Sequence, residues 1–428
     1  MSEVIKRTAL AQLEEQLAAN ACCLLLGPRQ VGKTSLALRY GESCVGRFVY
    51  LDLEQEKDRS AIADFDAFAQ QSMGRLAILD EAQCAPEIFP ALRAWLDRGA
   101  KEAQAPVQWL LLGSATAELE GLANQHLGPR IGKINLAPFQ APELYFHYAE
   151  QTSPLTSTAA LAIAEEQSVQ PTVDIYAIQQ TLWLRGGYPM SYLAGSPAQS
   201  VEWRTAYLDS LFGAQPIAHA HIVRQELLGE LWRQLSHRQG EPCRRDQLAG
   251  QLGCKAAELN ELLKFLERSQ LIRVVQPWSG NELKRLEQPG RIFIRDSGLL
   301  HTEWRFLEMG ELLDDGSRIK GKSWEGFVLE ALMRAAPSGT RPFFYKNANA
   351  QEIDIVLEFN PRRRWAIEIK VSDEAGVEPG FHRACEEVKP EVRFQINGGR
   401  ESRIQRVEGG IEALCLAEAI EKLRARAS

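Results

Sequence analysis

The chain carries Gly27-Pro28-Arg29-Gln30-Val31-Gly32-Lys33-Thr34 directly after an apolar run at residues 22–26. The pattern is GxxxxGK followed by Ser or Thr, and it admits few folds: a buried strand must end in a tight glycine loop that opens a helix. Backbone N–H groups of such a loop close around an anion at the helix N-terminus. Lys33 is then placed to bridge the β- and γ-phosphates of a nucleotide, and the Thr34 hydroxyl to ligate Mg²⁺. The expected ATP-binding stretch is Gly27, Pro28, Arg29, Gln30, Val31, Gly32, Lys33, Thr34 and Ser35.

A second motif points the same way. Residues 76–79 form another apolar run, ending in Asp80-Glu81. Asp80 is expected to hold Mg²⁺ through water and Glu81 to polarise the attacking water, so the pair implies hydrolysis as well as binding. The apolar run 109–112 leads to Ser114, which is expected either to sense the γ-phosphate or to cap a helix. Arg130 and Arg98 are the candidate arginine fingers toward a neighbouring subunit's nucleotide. Arg130 is preferred because it follows the sensor-like strand.

Short apolar runs at 22–26, 48–53, 76–79 and 109–112 alternate with helix-like segments, which predicts an α/β fold with a parallel sheet covered on both faces. At 428 residues the chain exceeds one ordinary core. Four domains are expected: an ATPase core over 1–148, a helical lid over 149–217, a winged helix over 218–308 and a terminal α/β domain over 309–428. The winged helix rests on a helix at 245–252, Gly253, a helix at 256–269 and strands at 271–275 and 291–294. Arg244, Arg245, Lys255, Lys264 and Arg268 decorate its helices among Glu258, Glu261 and Glu267, so packing competes with DNA readout as its role. Arg362-Arg363-Arg364, at a hairpin turn, is the better electrostatic candidate for phosphates.

The terminal region holds Glu352-Ile353-Asp354 on one expected strand and Glu368-Ile369-Lys370 on the next. Alternation lets Asp354, Glu368 and Lys370 share one face, with Ile353, Ile355, Ile367 and Ile369 on the other. Two carboxylates and a lysine can hold Mg²⁺ and orient a water for phosphodiester cleavage, and Glu325 can complete the metal shell. In that arrangement Lys370 is catalytic rather than a ligand. A salt-bridged amphipathic hairpin is the competing reading.

Bulk properties set the outer limits. A net charge of −7 excludes nothing about DNA, because a basic channel survives within an acidic total. The 8 cysteines show no zinc spacing and suit a reducing compartment. No apolar run approaches the roughly 18 residues of a membrane span, and the N-terminal region lacks a signal-peptide pattern, so a cytoplasmic protein without membrane association is expected.

Taken in order, GPRQVGKTSLA, LAILDEAQCAPEIFPALRAWLDR, LLLGSATAEL, LRGGYP, RIFIRDSGLL, SWEGFVLEAL, QEIDIVLEF and AIEIK resemble the bacterial and archaeal AAA-type ATPases whose C-terminal half is a domain of unknown function. The resemblance implies an AAA-type core, a helical lid, a winged helix and a restriction-endonuclease-like PD-(D/E)xK terminal domain. It carries the nucleotide-site roles to Lys33, Thr34, Asp80 and Glu81, and the nuclease-fold roles to Glu325, Asp354, Glu368 and Lys370. Two departures stand out: no Arg-Asp pair follows the tyrosine helix at 207–213, and Pro129 interrupts the glycine-arginine step before Arg130. The expected activity is a homo-oligomeric ATPase that remodels or translocates duplex or branched DNA. A regulatory nucleotide switch acting on a protein partner, with an inert terminal domain, is the alternative.

Overall fold

The computed structural model describes residues 5–44, 48–99, 107–114, 117–152, 173–213, 224, 226–281, 288–314, 319–407 and 411–427. It divides into two compact units, one of residues 1–173 with 268–270, the other of the remainder.

In the first unit five strands form one sheet: β1 (Cys22–Gly27), β2 (Phe48–Asp52), β3 (Leu76–Asp80), β4 (Gln108–Ser114) and β5 (Ile131–Asn135), in the order β2-β3-β4-β1-β5. Every pairing is parallel. Continuous apolar runs fold this way because both faces are covered. Cys22, Leu24 and Leu26 pack with Phe89 and Trp109 on one side, while Cys23 and Leu25 pack with Leu13 and Leu36 on the other. Each fully buried leucine contributes about 1.5–3 kcal/mol. Cys22 and Cys23 thus act as small core groups, and burial pushes the Cys23 thiol up to about 12.

The second unit contains an eight-stranded sheet built from β6 (Ile272–Pro277), β7 (Arg291–Ile294), β8 (Arg341–Lys346), β9 (Glu352–Asn360), β10 (Arg363–Ile369), β11 (Val392–Asn397), β12 (Arg403–Val407) and β13 (Ile411–Cys415). Its order is β12-β13-β11-β10-β9-β8-β6-β7. Helices Leu227–His237, Arg245–Gln251 and Ala256–Arg268 precede the antiparallel pair β6–β7, and Gly253 at φ +59° turns the chain between the last two.

The sequence expectation divides this region at 217 and 308, and the structure runs one core across both positions. Strand β6 pairs in parallel with β8. One hydrophobic cluster joins Trp183 and Tyr207 of the expected lid to Trp232, Phe293, Trp324 and Trp365. Buried polar contacts pin the helices 175–185 and 197–212 into it. The Asp296 carboxylate accepts from Gly187 N at 2.8 Å and Leu299 N at 3.0 Å, and Arg204 donates to Gly298 O at 2.6 Å. His301 lies between Leu184 O (3.0 Å) and the Ser323 hydroxyl (2.6 Å), and burial lowers its pKa to about 3. In the terminal sheet Ile355, Ile367 and Ile369 pack in the large cluster as expected. Ile353 instead joins Val356, Ala366 and Phe381, beside a register shift between β8 and β9.

Candidate active site

The phosphate loop spans the end of β1 and the start of the helix Lys33–Ser43. Gly32 adopts φ +99°, a conformation open to glycine, and no side chain caps the helix N-terminus it precedes. Gln30 also lies at positive φ, 58°. Such a succession of turned residues points backbone N–H groups inward, which suits an anion.

Lys33 is 6% exposed, and its ammonium donates to Gly27 O at 3.1 Å and Pro28 O at 3.0 Å. Burial lowers its pKa, while Glu81 and Asp80 oppose that shift. A buried ammonium resting on loop carbonyls is poised for a stronger anionic partner.

Strand β4 lies between β1 and β3, yet the Thr34 hydroxyl donates to Asp80 Oδ2 at 2.6 Å. The second acid, Glu81, sits at φ 48° and ψ 49°, a left-handed backbone at the end of β3. Non-glycine residues take that conformation at a cost of roughly 1–3 kcal/mol, and such strain concentrates at functional sites. The loop, lysine, hydroxyl and acids therefore fit a nucleotide's phosphates with Mg²⁺: donors face the anion, and Thr34 and Asp80 share one point.

Three further residues were not foreseen from the motifs. The Tyr50 hydroxyl donates to Asp80 Oδ2 at 3.1 Å, and burial together with Asp80 raises its pKa. The Gln83 amide donates to Glu81 Oε2. Gly113 permits this, because a Cβ there would overlap Leu119 and Gln83 Oε1. Arg7, also buried, donates to Val31 O at 3.0 Å and to Ala137 O, ion-pairs with Glu143 at 2.7 Å and lies 4.8 Å from the Phe139 ring centroid. It braces the loop from outside. The β2–β3 register reveals Tyr50, a chain reversal of over a hundred residues reveals Arg7, and the left-handed turn at Glu81 reveals Gln83.

The remaining expected residues fall differently. The backbone of Ser114 ends β4, and its side chain lies outside the described residues. Arg130 pairs with Asp97 at 2.7 Å and Arg98 with Asp66 at 2.8 Å, both half-exposed on the unit's own surface.

In the second unit the structure gathers the expected terminal cluster. Asp354 is half-buried, and desolvation with the charges of Glu325 and Glu368 pushes its carboxyl well up; burial likewise raises Glu368. The expected metal shell of Glu325, Asp354 and Glu368 does not assemble, however. Among the described residues no three His, Cys, Asp or Glu side chains form a metal-holding group. Protein cations already serve these acids: Lys322 meets Glu325 at 2.6 Å, and Lys370 meets Glu368 at 3.0 Å and Glu378 at 2.5 Å. The residues as placed do not fit a divalent ion. Two arginines of the triple are engaged as well. Arg363 pairs with Glu391 at 3.0 Å, and Arg364 donates to Val388 O at 3.1 Å and lies 5.1 Å from the Trp278 ring centroid.

A parallel sheet in this order, with a phosphate loop after β1 and acids closing β3, defines an AAA-type P-loop ATPase, a fold that implies nucleotide binding. Comparison with known proteins agrees: residues 19–145 match the family described as AAA domain. Residues 177–308 and 320–418 match two domains of unknown function, DUF8612 and DUF4143. Uncharacterised proteins of Mycobacterium tuberculosis and Mycobacterium bovis are each 31% identical over 368 residues, covering 85% of this chain and 74% of the relative. The chain belongs to the family of these mycobacterial proteins.

Among solved structures, the Walker-type ATPase of Pyrococcus abyssi aligns with 70% of this chain and 95% of its own at 16% identity and a TM-score of 0.44. The Orc1 protein of Aeropyrum pernix in complex with DNA aligns with 73% of this chain and 94% of its own at 16% identity and a TM-score of 0.32. The Thermotoga maritima RuvB T158V variant aligns with 63% of this chain and 89% of its own at 17% identity and a TM-score of 0.31. At such identities and scores these likenesses carry no functional argument. No helix among the described residues is long and apolar enough to cross a membrane.

Proposed function

We propose that the protein is a cytoplasmic, homo-oligomeric ATPase that binds duplex or branched DNA and remodels or translocates it. The single observation that carries the hydrolytic half is the junction of Thr34, in the helix that follows β1, with Asp80 and Glu81 at the end of the nonadjacent β3. Lys33 and the loop amides hold the phosphates, and Thr34 and Asp80 hold Mg²⁺, which supplies charge neutralisation at the phosphoryl group. Glu81 takes the proton of the attacking water. Ser114 is proposed as the sensor and Arg130 as the finger supplied to a neighbouring subunit. The latter role requires Arg130 to exchange Asp97 for that subunit's nucleotide.

Gln83 positions Glu81 in this scheme. Gln83→Ala is expected to lower kcat about tenfold, the worth of one hydrogen bond to a charged group, with KM for ATP within about twofold. Steady-state ATP turnover checks this, and an equal change in KM would assign Gln83 to nucleotide binding instead.

The DNA half rests on the helices 245–251 and 256–268 with the antiparallel β6–β7 pair, proposed here as a winged helix. Their buried leucines leave Arg244, Arg245, Lys255, Lys264 and Arg268 on the exposed side. This surface and the exposed Arg362 of the hairpin turn are the proposed contacts to DNA phosphates. The terminal sheet is proposed as a restriction-endonuclease-like fold that supports DNA binding. ATP turnover and mass by light scattering, with and without duplex or junction DNA, test the proposal. Stimulation severalfold and a nucleotide-dependent rise in mass are expected. Unchanged turnover on every DNA, with no binding at low salt, would overturn it in favour of a nucleotide switch acting on a protein partner.

A further inference from the structure

Arg291 lies at the start of β7, in the segment matching one domain of unknown function, while Glu325, Glu352, Asp354 and Glu368 lie in the segment matching the other. Arg291 is 3% exposed, yet a guanidinium keeps its charge in proteins. Its Nη2 donates to Glu352 Oε1, its Nη1 lies 3.6 Å from Glu325 Oε1, and its guanidinium carbon sits 4.2 Å from the Phe344 ring centroid. Nε and Nη1 of Arg291 and Oε1 of Glu325 make no hydrogen bond. A buried cation with spare donors therefore points into the carboxylate cluster.

The carboxylates around it already have partners. Glu325 and Glu352 each meet two cations, Arg291 in common with Lys322 and Lys346 respectively; Glu368 meets Lys370, and Asp354 Oδ2 accepts from Ile369 N at 2.8 Å. We propose that Arg291 is the resident cation of this site, standing between Glu325 and Glu352 where a divalent metal would neutralise Glu325, so that the site is closed to divalent metal while Arg291 is in place. A buried like charge repels an incoming ion at short range, where water screens little. The terminal domain then works as a metal-independent binding module, and its site is complete only when both segments are present.

Mn²⁺ binding to the full chain without nucleotide, followed by electron paramagnetic resonance, tests this. Wild type and Asp354→Asn should bind Mn²⁺ identically. Arg291→Gln should add one Mn²⁺ site at least tenfold tighter than any the wild type shows there, and Arg291→Gln/Asp354→Asn should lose it. Arg291→Lys, which keeps the charge, should behave as wild type. An Asp354-dependent Mn²⁺ site in the wild-type protein overturns the proposal, whether or not Arg291→Gln folds. So does a folded Arg291→Gln protein with no added site. Because the readout involves neither ATP nor DNA, its failure leaves the ATPase reading untouched.

Discussion

Lys33→Ala is expected to weaken ATP binding by roughly 100-fold or more, whereas Glu81→Gln should bind ATP within about threefold of wild type and lose turnover by about 100-fold or more. The two substitutions separate because the residues meet the nucleotide at different moments. Lys33 is buried with its ammonium on the carbonyls of Gly27 and Pro28, so alanine removes a desolvated charge from the ground state. Glu81 lies beyond the end of β3, beside Asp80, and acts only when the water loses its proton. Replacing it by the isosteric amide keeps shape and the chance of meeting Gln83, but removes the basic lone pair. Fluorescent-nucleotide titration and single-turnover hydrolysis read the two effects separately. If Glu81→Gln weakened binding as much as Lys33→Ala, Glu81 would be a phosphate-loop support and not a base.

The parts of this site that could be read from the sequence were those fixed by local grammar. Lys33 and Thr34 follow from a strand-loop-helix spacing, and Asp80-Glu81 from an apolar run ending in acids. Gln83 sits two residues beyond Glu81 in the same stretch, and only the left-handed turn at Glu81 brings its amide back to that carboxylate. Tyr50 and Arg7 owe their places to strand order and chain reversal, which no spacing records. The single core running across residues 217 and 308 was not legible for a related reason. Residues 272–277 have the pattern of a small hairpin's first strand, and nothing local says that Gln276 and Pro277 also pair with Phe343 and Phe344. The terminal carboxylates were legible as a cluster from the alternation of β9 and β10. Their neutralisation was not, because Arg291 arrives from a strand about sixty residues upstream of β9 and carries no motif of its own.

A second charged centre in that unit should govern its stability. Glu330→Gln is expected to cost about 3–5 kcal/mol, because Glu330 is 2% exposed and holds several arginines together. Arg273 donates from Nε and, at 3.2 Å, from Nη2; Arg295 donates at 3.0 Å; and Arg334 lies within electrostatic reach. Burial alone would push the Glu330 carboxyl up, but Arg295 and Arg273 overcome it and hold the group well below the usual carboxylate range. The amide can keep one or two hydrogen bonds and none of the charge, so half-buried guanidinium groups are left without this counter-ion. In a unit of this size the loss corresponds to a fall in melting temperature of roughly 10 °C. Its pH dependence has a definite sign. A depressed carboxylate gives its stability in full above the unfolded value and surrenders it as pH falls toward the folded one. The gap between wild type and variant should therefore be constant near neutrality and narrow below about pH 4.5. Glu230→Gln provides the contrast, since the Glu230–Arg233 pair is 40% and 58% exposed and should be worth less than about 1 kcal/mol. Calorimetry of both variants between pH 3 and 8 checks the prediction. An equal, small loss for both would mean that these half-buried arginines find water or other acids in place of Glu330.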